Sequence, residues 1–407
     1  MTEKAREYEV VLWGATGFTG SLVARHLAEN YGEGLAWALA GRNREKLEAL
    51  RDTLGLPDLP IIQADSGDRA SLDAMVARTR VVCTTVGPYA RYGDALLAAC
   101  AAAGTHYCDL TGEVQWMART IDRYLATARD SGARIVHTCG FDSIPSDLGT
   151  WYLQEQMFER YGEYADEVKS RVGKFSGGAS GGTIASMMLM LEEAVDDPAV
   201  REALANPYSL NPEGEQWGPD ELDSNQPQYD ADFAQWTAPF VMAAINARVV
   251  RRSNALAGYP WGVDFRFDER LLTGAGARGK ARAAGIGMGS QLTPLVMGLK
   301  PLRWMAGRLL PAPGEGPSPR EQRRGHFELF FHGRNFASGN ALKLRVSGDR
   351  DPGYGATSRM LGEAAVCLAR DNLDCDGGVW TPATAMDGLL LARLQASAGI
   401  QFDILDD

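Results

Sequence analysis

The stretch VVLWGATGFTGSLVARHLA, Val10 to Ala28, sets Gly14, Gly17 and Gly20 three residues apart between an apolar run and a helical pattern. Two readings of it compete. The glycines can form a tight turn between a strand and a helix, or they can let a phosphate approach backbone N–H groups at a helix N-terminus. The surrounding sequence bears on the choice. Apolar runs of strand length recur through the first third, at YEVVLW, AWALA, LPIIQA, RVVCTTV, THYCDL and RIVHTC, with alanine- and leucine-rich segments of helical spacing between them.

Strands that alternate with helices pair in parallel, because a crossover helix returns the chain to the same end of the sheet. VVLW, VVCTTV and RIV show no polar alternation, which predicts strands covered on both faces. The expected fold class is α/β, a Rossmann doubly wound parallel sheet over residues 1–150. After IPSDLG the rhythm changes. Glycine-rich turns (FSGGASGGT, TGAGARGKARAAGIGMG), strand-like runs (HFELFFHG, ALKLRVSG) and a methionine-rich helical piece (IASMMLMLEEAV) predict an inserted α+β second domain over 151–354. That domain is expected to serve substrate binding or oligomerisation. NPEGEQWGPDELDSNQPQYD reads as a surface loop. Two amphipathic helices in 355–407 are expected to return and pack on the first domain.

With 407 residues, two or three domains are expected. The net charge of −11 makes nucleic acid a poor partner. Six cysteines without C-x-x-C spacing argue against a zinc site or a disulfide framework, and the five histidines show no ligand spacing, so no metal is expected. The charged N-terminus MTEKAREYEV lacks a signal-peptide pattern, and a cytoplasmic protein is expected.

In its strand–turn–helix context, GATGFTG predicts a dinucleotide-binding loop made of Gly14, Ala15, Thr16, Gly17, Phe18, Thr19 and Gly20. At the end of the second strand, ALAGRNREKL has no acid before Glu45, where NAD enzymes hold the ribose 2′-hydroxyl. Arg42 stands there instead, able to grip a 2′-phosphate, so NADP (NADPH) is favoured over NAD. Arg44 and Lys46 read better as a solvated helix face. Asp65 borders the adenine side or caps the next helix. Thr85, Val86 and Gly87 are expected on the nicotinamide side.

Taken together, GATGFTG, AGR, TTVGPYARYG, AAAGTHYCDLTGE and HTCGFDSIPSDLG resemble the saccharopine dehydrogenase-like NADP-binding family, and within it the trans-acting enoyl reductase branch. FSGGASGGTIASM, RVVRRSNAL, GEGPS, DPGYGATSRMLGE and TPATAMDGLLLARL extend the resemblance over most of the chain. It implies a Rossmann domain with an inserted domain, and an NADPH-dependent reductase. It further implies reduction of the C=C bond of an enoyl, lipid-like intermediate for a polyketide synthase partner, on a free or carrier-bound acyl substrate.

Such a reduction needs a proton donor and a group that stabilises the enolate oxygen. The candidates are Tyr89, Tyr107 and Asp109, with Cys139, Asp142 and Ser143 of CGFDSIP. Tyr107 also fits an ordinary core aromatic, Cys139 a small buried residue, and the two aspartates helix caps. A saccharopine-type imine reductase is the alternative, with Arg248, Arg251 and Arg252 as carboxylate binders or a solvated face. A third reading is a non-catalytic NADP-binding protein associated with a membrane or partner. It rests on residues 286–311, where apolar residues interleave with Lys300, Arg303 and Arg308, as at a peripheral contact with the inner membrane face. A homodimer is a further expectation.

Overall fold

The computed structural model describes residues 6–176, 181–220, 222, 224–298 and 318–405. They divide into two units. The first holds the described residues up to Ile144 together with Gly353–Gly399; the second holds those from Pro145 to Pro352 and from Ile400 onward.

The first unit is built on β1 (Tyr8–Trp13), β2 (Trp37–Gly41), β3 (Ile61–Gln63), β4 (Thr79–Thr84), β5 (His106–Cys108), β6 (Arg134–Val136) and a short strand, Gly378–Trp380. Across the sheet the order is β3-β2-β1-β4-β5-β6 and then Gly378–Trp380, every pair parallel. Val10, Val11, Leu12, Val81, Val82 and Ile135 are fully buried. Continuous apolar runs form these strands because helices cover both faces. The strand order reverses between β1 and β4, and ligands of open α/β sheets bind beyond the carboxyl ends of strands at such a switch.

The helices α1 (Phe18–Asn30), α2 (Arg44–Leu54) and α3 (Arg69–Val76) follow the first three strands. Helix Thr357–Arg370 packs on α1. Gly362 permits the approach, since a Cβ there would come within 2.8 Å of His26 Cδ2. The contact is polar at its centre: the fully buried Glu363 meets His26 Nε2 at 2.7 Å and accepts from the Tyr31 hydroxyl at 2.6 Å. Arg393 stands 3.8 Å from Glu363 and makes a bidentate pair with Asp371, at 2.5 and 2.6 Å.

The second unit carries a mixed sheet in the order Ile400–Leu405, Ala341–Gly348, His326–Arg334, Glu167–Ser176, Arg266–Gly274, Gln235–Pro239, Gln228–Asp230. Only Glu167–Ser176 and Arg266–Gly274 pair in parallel. Its edge strand Ile400–Leu405 comes from the stretch that the sequence reading gives to helices alone. TGAGARGKARAAGIGMG, read as glycine-rich turns, lies largely in the helix Gly276–Gly298. Its alanines, arginines and lysine favour a helix. Gly287 serves close packing there, as a Cβ would lie 2.3 Å from the Asn225 carbonyl oxygen.

Candidate functional site

The C-terminal ends of β1 to β6 bring most of the expected residues to one edge of the first sheet. Beyond β1, Gly14 takes φ +83°, and a Cβ would come within 2.6 Å of Val86 Cγ2 and 2.9 Å of Thr85 Oγ1. A Cβ on Gly20 would lie 2.1 Å from the Gly14 carbonyl oxygen. These two glycines are required by the loop's own packing. Thr85 fastens the loop, its hydroxyl donating to that same Gly14 oxygen at 3.2 Å.

Gly17 is different. It is exposed, with φ −72° and ψ 167°, and a Cβ there would meet Gly14 O alone, at 3.2 Å. It stands at the cap of α1 with no side-chain acceptor, whereas Asn43 and Asp68 cap α2 and α3 with their side-chain oxygens. The first-turn N–H groups of α1 thus receive no acceptor from a capping side chain, which suits an anion. Thr16 is exposed beside it, Ala15 is buried, and Phe18 and Thr19 are half-buried. The Phe18 ring meets Tyr354 edge-on at 4.6 Å, a contact that sequence reading misses because the two lie so far apart in the chain.

Arg42 follows β2, exposed, and its guanidinium bonds nothing among the described residues; its carbonyl accepts from Gln63 at 3.0 Å. Arg44 pairs with Glu48 along α2 at 2.9 Å. Asp65 follows β3, exposed, and accepts from Gly67 N–H at 2.8 Å. The cap of α3 is Asp68, not Asp65: the former accepts from Ala70 and Ser71 N–H. Val86 is half-buried and Gly87 exposed at the end of β4.

The other candidates form a buried wall. Tyr89 is 3% exposed; its hydroxyl donates to Thr84 O at 3.2 Å and accepts from Leu110 N–H at 3.4 Å. Its ring stacks on Trp116 at 5.5 Å. Burial first, and then the Asp109 charge, push the Tyr89 hydroxyl far above the usual phenol range. Tyr107 is fully buried and shifted the same way for the same two leading causes. A phenol so shifted stays protonated at neutral pH.

Asp109 is fully buried and in full use. One oxygen accepts from Thr111 and Thr138 N–H at 3.0 and 3.1 Å, while the other meets His137 Nδ1 at 2.8 Å. It thereby ties the end of β5 to the end of β6, where Thr138 takes φ +60°. Glu113, unmarked as a site by sequence, accepts from Tyr89 and Ala90 N–H, both at 2.8 Å. It fixes the turn that carries Tyr89. Cys139 and Ser143 are buried, and Ser143 has φ +149°. Asp142, between them, is half-buried and is the most exposed of the six catalytic candidates. Thr357 Oγ1 accepts from Phe141 N–H at 3.0 Å, another partner supplied from far along the chain.

The three arginines proposed as carboxylate binders are neither that nor a solvated face. They lie buried in helix Ala243–Leu256 and bond mainly to the segment 204–220 that precedes it: Arg248 donates to Leu204 O and Asn206 O, Arg251 pairs with Asp220 at 2.8 Å, and Arg252 donates to Leu210 O. Lys300, Arg303 and Arg308 lie outside the described residues.

A parallel switch-point sheet with a glycine loop of this build defines a dinucleotide-binding protein. Residues 10–136 match the family described as saccharopine dehydrogenase NADP binding domain. A Mycobacterium tuberculosis protein, provisionally named a trans-acting enoyl reductase, is 43% identical over 98% of this chain and 97% of its own. The trans-acting enoyl reductase of Mycobacterium ulcerans is 40% identical over 97% of each chain. Among solved structures, apo saccharopine dehydrogenase (L-Glu forming) from Saccharomyces cerevisiae shares the fold, with a TM-score of 0.56 and 12% identity over 98% of this chain and 99% of its own. The chain belongs to the saccharopine dehydrogenase-like NADP-binding family, in its trans-acting enoyl reductase branch. It is an NADP-dependent oxidoreductase.

Proposed function

We propose that the protein uses NADPH to reduce the C=C bond of an enoyl, lipid-like acyl substrate, free or carrier-bound, beside a polyketide synthase in the cytoplasm. The observation that carries this reading is 40–43% identity along nearly the whole length with relatives that bear the name trans-acting enoyl reductase. Among the described residues, no helix is long and apolar enough to cross a membrane.

In this reading the loop Gly14–Gly20 holds the pyrophosphate, Arg42 the 2′-phosphate and Asp65 the adenosine side, while Thr85, Val86 and Gly87 line the nicotinamide side. Bound NADPH supplies the hydride for the β-carbon. The chain's own part is to give a proton to the α-carbon and donors to the thioester oxygen. Asp142 is the proposed proton donor, because it is the most exposed of the six candidates and so the one a substrate can reach. Asp109 and Glu113 act as positioning residues, holding the turns that carry Cys139–Ser143 and Tyr89. The absorbance of NADPH, followed during incubation with α,β-unsaturated thioesters, tests the reaction; NADPH that binds but is never consumed with any of them overturns it.

Arg42→Ala is expected to weaken NADPH binding on the order of tenfold and NADH binding little, since one exposed charge-assisted contact to the 2′-phosphate is lost. Calorimetry with both nucleotides checks this, and equal losses sink the assignment. Asp142→Asn is expected to lower kcat by about a hundredfold or more, the usual contribution of a positioned proton donor, and to leave the NADPH Kd unchanged. A kcat near that of the parent removes Asp142 from the reaction.

A further inference from the structure

The second unit contains a cavity of its own, about 740 Å³ in volume, within the range that holds small organic ligands. Leu271, Leu272, Ile286 and Phe330 supply its apolar wall. Lys174, from strand Glu167–Ser176, and Arg282, from helix Gly276–Gly298, supply cations from two separate elements. Neither has an ion-pair or side-chain hydrogen-bond partner among the described residues. The contrast within this unit is sharp. Buried Arg171 pairs with Asp230 and Asp268 at 2.6 and 2.7 Å, and buried Arg270 donates to Thr237 Oγ1, Ser224 O and Gln226 O. Glu328 is the acid of the lining, and Gln235 its amide. Two cations against one carboxylate leave the cavity positive in a chain whose net charge is −11.

We infer that this cavity binds an anionic amphiphile, an alkyl chain ending in a carboxylate or a phosphate. The apolar wall takes the chain, and Lys174 with Arg282 takes the head. The inference stands apart from the reaction assigned to the first unit. Gly285 also lines the cavity, and a Cβ there would meet nothing within 4 Å, so the backbone at this position leaves room for a side chain at the cavity's edge.

Titration calorimetry of the full chain with decanoate, decyl phosphate and decanol tests the inference. At least one anion is expected to bind once per chain, with decanol at least about tenfold weaker, and whichever anion binds better separates a carboxylate source from a phosphate source. Lys174→Ala and Arg282→Ala should each weaken the anion about fivefold, as suits exposed charges, and leave decanol unchanged. Gly285→Phe should abolish binding of the amphiphiles, with NADPH affinity intact in all three variants as evidence that they are folded. Equal affinity for decanol and the anions overturns the inference. So does Gly285→Phe that binds like the parent, or binding seen only on anionic vesicles. A failure to reduce enoyl thioesters would bear on the first unit alone.

Discussion

Replacing Gly17 with valine is expected to cost more than about a hundredfold in NADPH affinity, or about 2.8 kcal/mol, while the protein stays folded. The reasoning turns on the difference among the three loop glycines. Gly14 and Gly20 are held to glycine by the chain itself, through a left-handed φ at the former and a carbonyl oxygen 2.1 Å from any Cβ at the latter. Gly17 has φ −72°, which valine adopts readily, and its Cβ would press on a single oxygen at 3.2 Å. The conformational strain that a positive φ would bring is therefore absent. What demands a bare backbone at Gly17 is a close approach from outside, by the pyrophosphate. Quenching of tryptophan fluorescence by NADPH, read beside a thermal melt, checks the prediction. Unchanged affinity in a folded variant would reduce the loop to a turn. Gly20→Ala should behave in the opposite manner, losing stability because backbone must move.

Glu363→Ala is expected to take roughly 3 kcal/mol from the stability of the first unit, the upper range for leaving buried donors without the charged acceptor they bonded. Its carboxylate is fully buried and answers His26 and Tyr31 together, with Arg393 behind. Alanine leaves His26 Nε2 and the Tyr31 hydroxyl without the oxygens they bond, while Arg393 keeps Asp371. In the parent, burial first and then the Glu363 carboxylate push the Tyr31 hydroxyl well above the phenol range. Glu363→Gln keeps one acceptor and should recover part of the loss. Urea denaturation curves for the three proteins decide it, and coincident curves would remove the network from the stability of the fold.

Six strands of the first sheet were legible in the sequence because each is an apolar run closed by turn residues, and the glycine loop follows directly on β1; the seventh, Gly378–Trp380, lies in the stretch expected to be helical and was missed. The place of Arg42 just after β2 was legible for a related reason: position relative to a strand end is local information. Long-range partners were not. Nothing near Glu113 marks it as the acceptor for Tyr89 and Ala90 N–H, and the pairing of Asp109 with His137 joins two strand ends 28 residues apart. Arg248, Arg251 and Arg252 misled for the same reason, since most of their carbonyl and carboxylate partners lie 31 to 44 residues away. The strand Ile400–Leu405 was missed because a single edge strand carries no rhythm of its own.

The main chain passes from one unit to the other after Ile144, after Pro352 and again after Gly399. Neither unit is therefore complete when a ribosome has finished the part that encodes most of it. Residues 1–150 supply six strands of the first sheet, yet helix Thr357–Arg370, which lies over α1, is made only after most of the second unit. At about 5–20 residues per second the nascent first unit waits on the order of ten seconds or more for its cover. During that interval the side of α1 that carries His26 and Leu27 has no native partner in that helix. Biosynthesis of this fold thus exposes it to chaperones or aggregation at a definable stage, and expression of residues 1–150 alone should yield insoluble protein rather than an isolated nucleotide-binding domain.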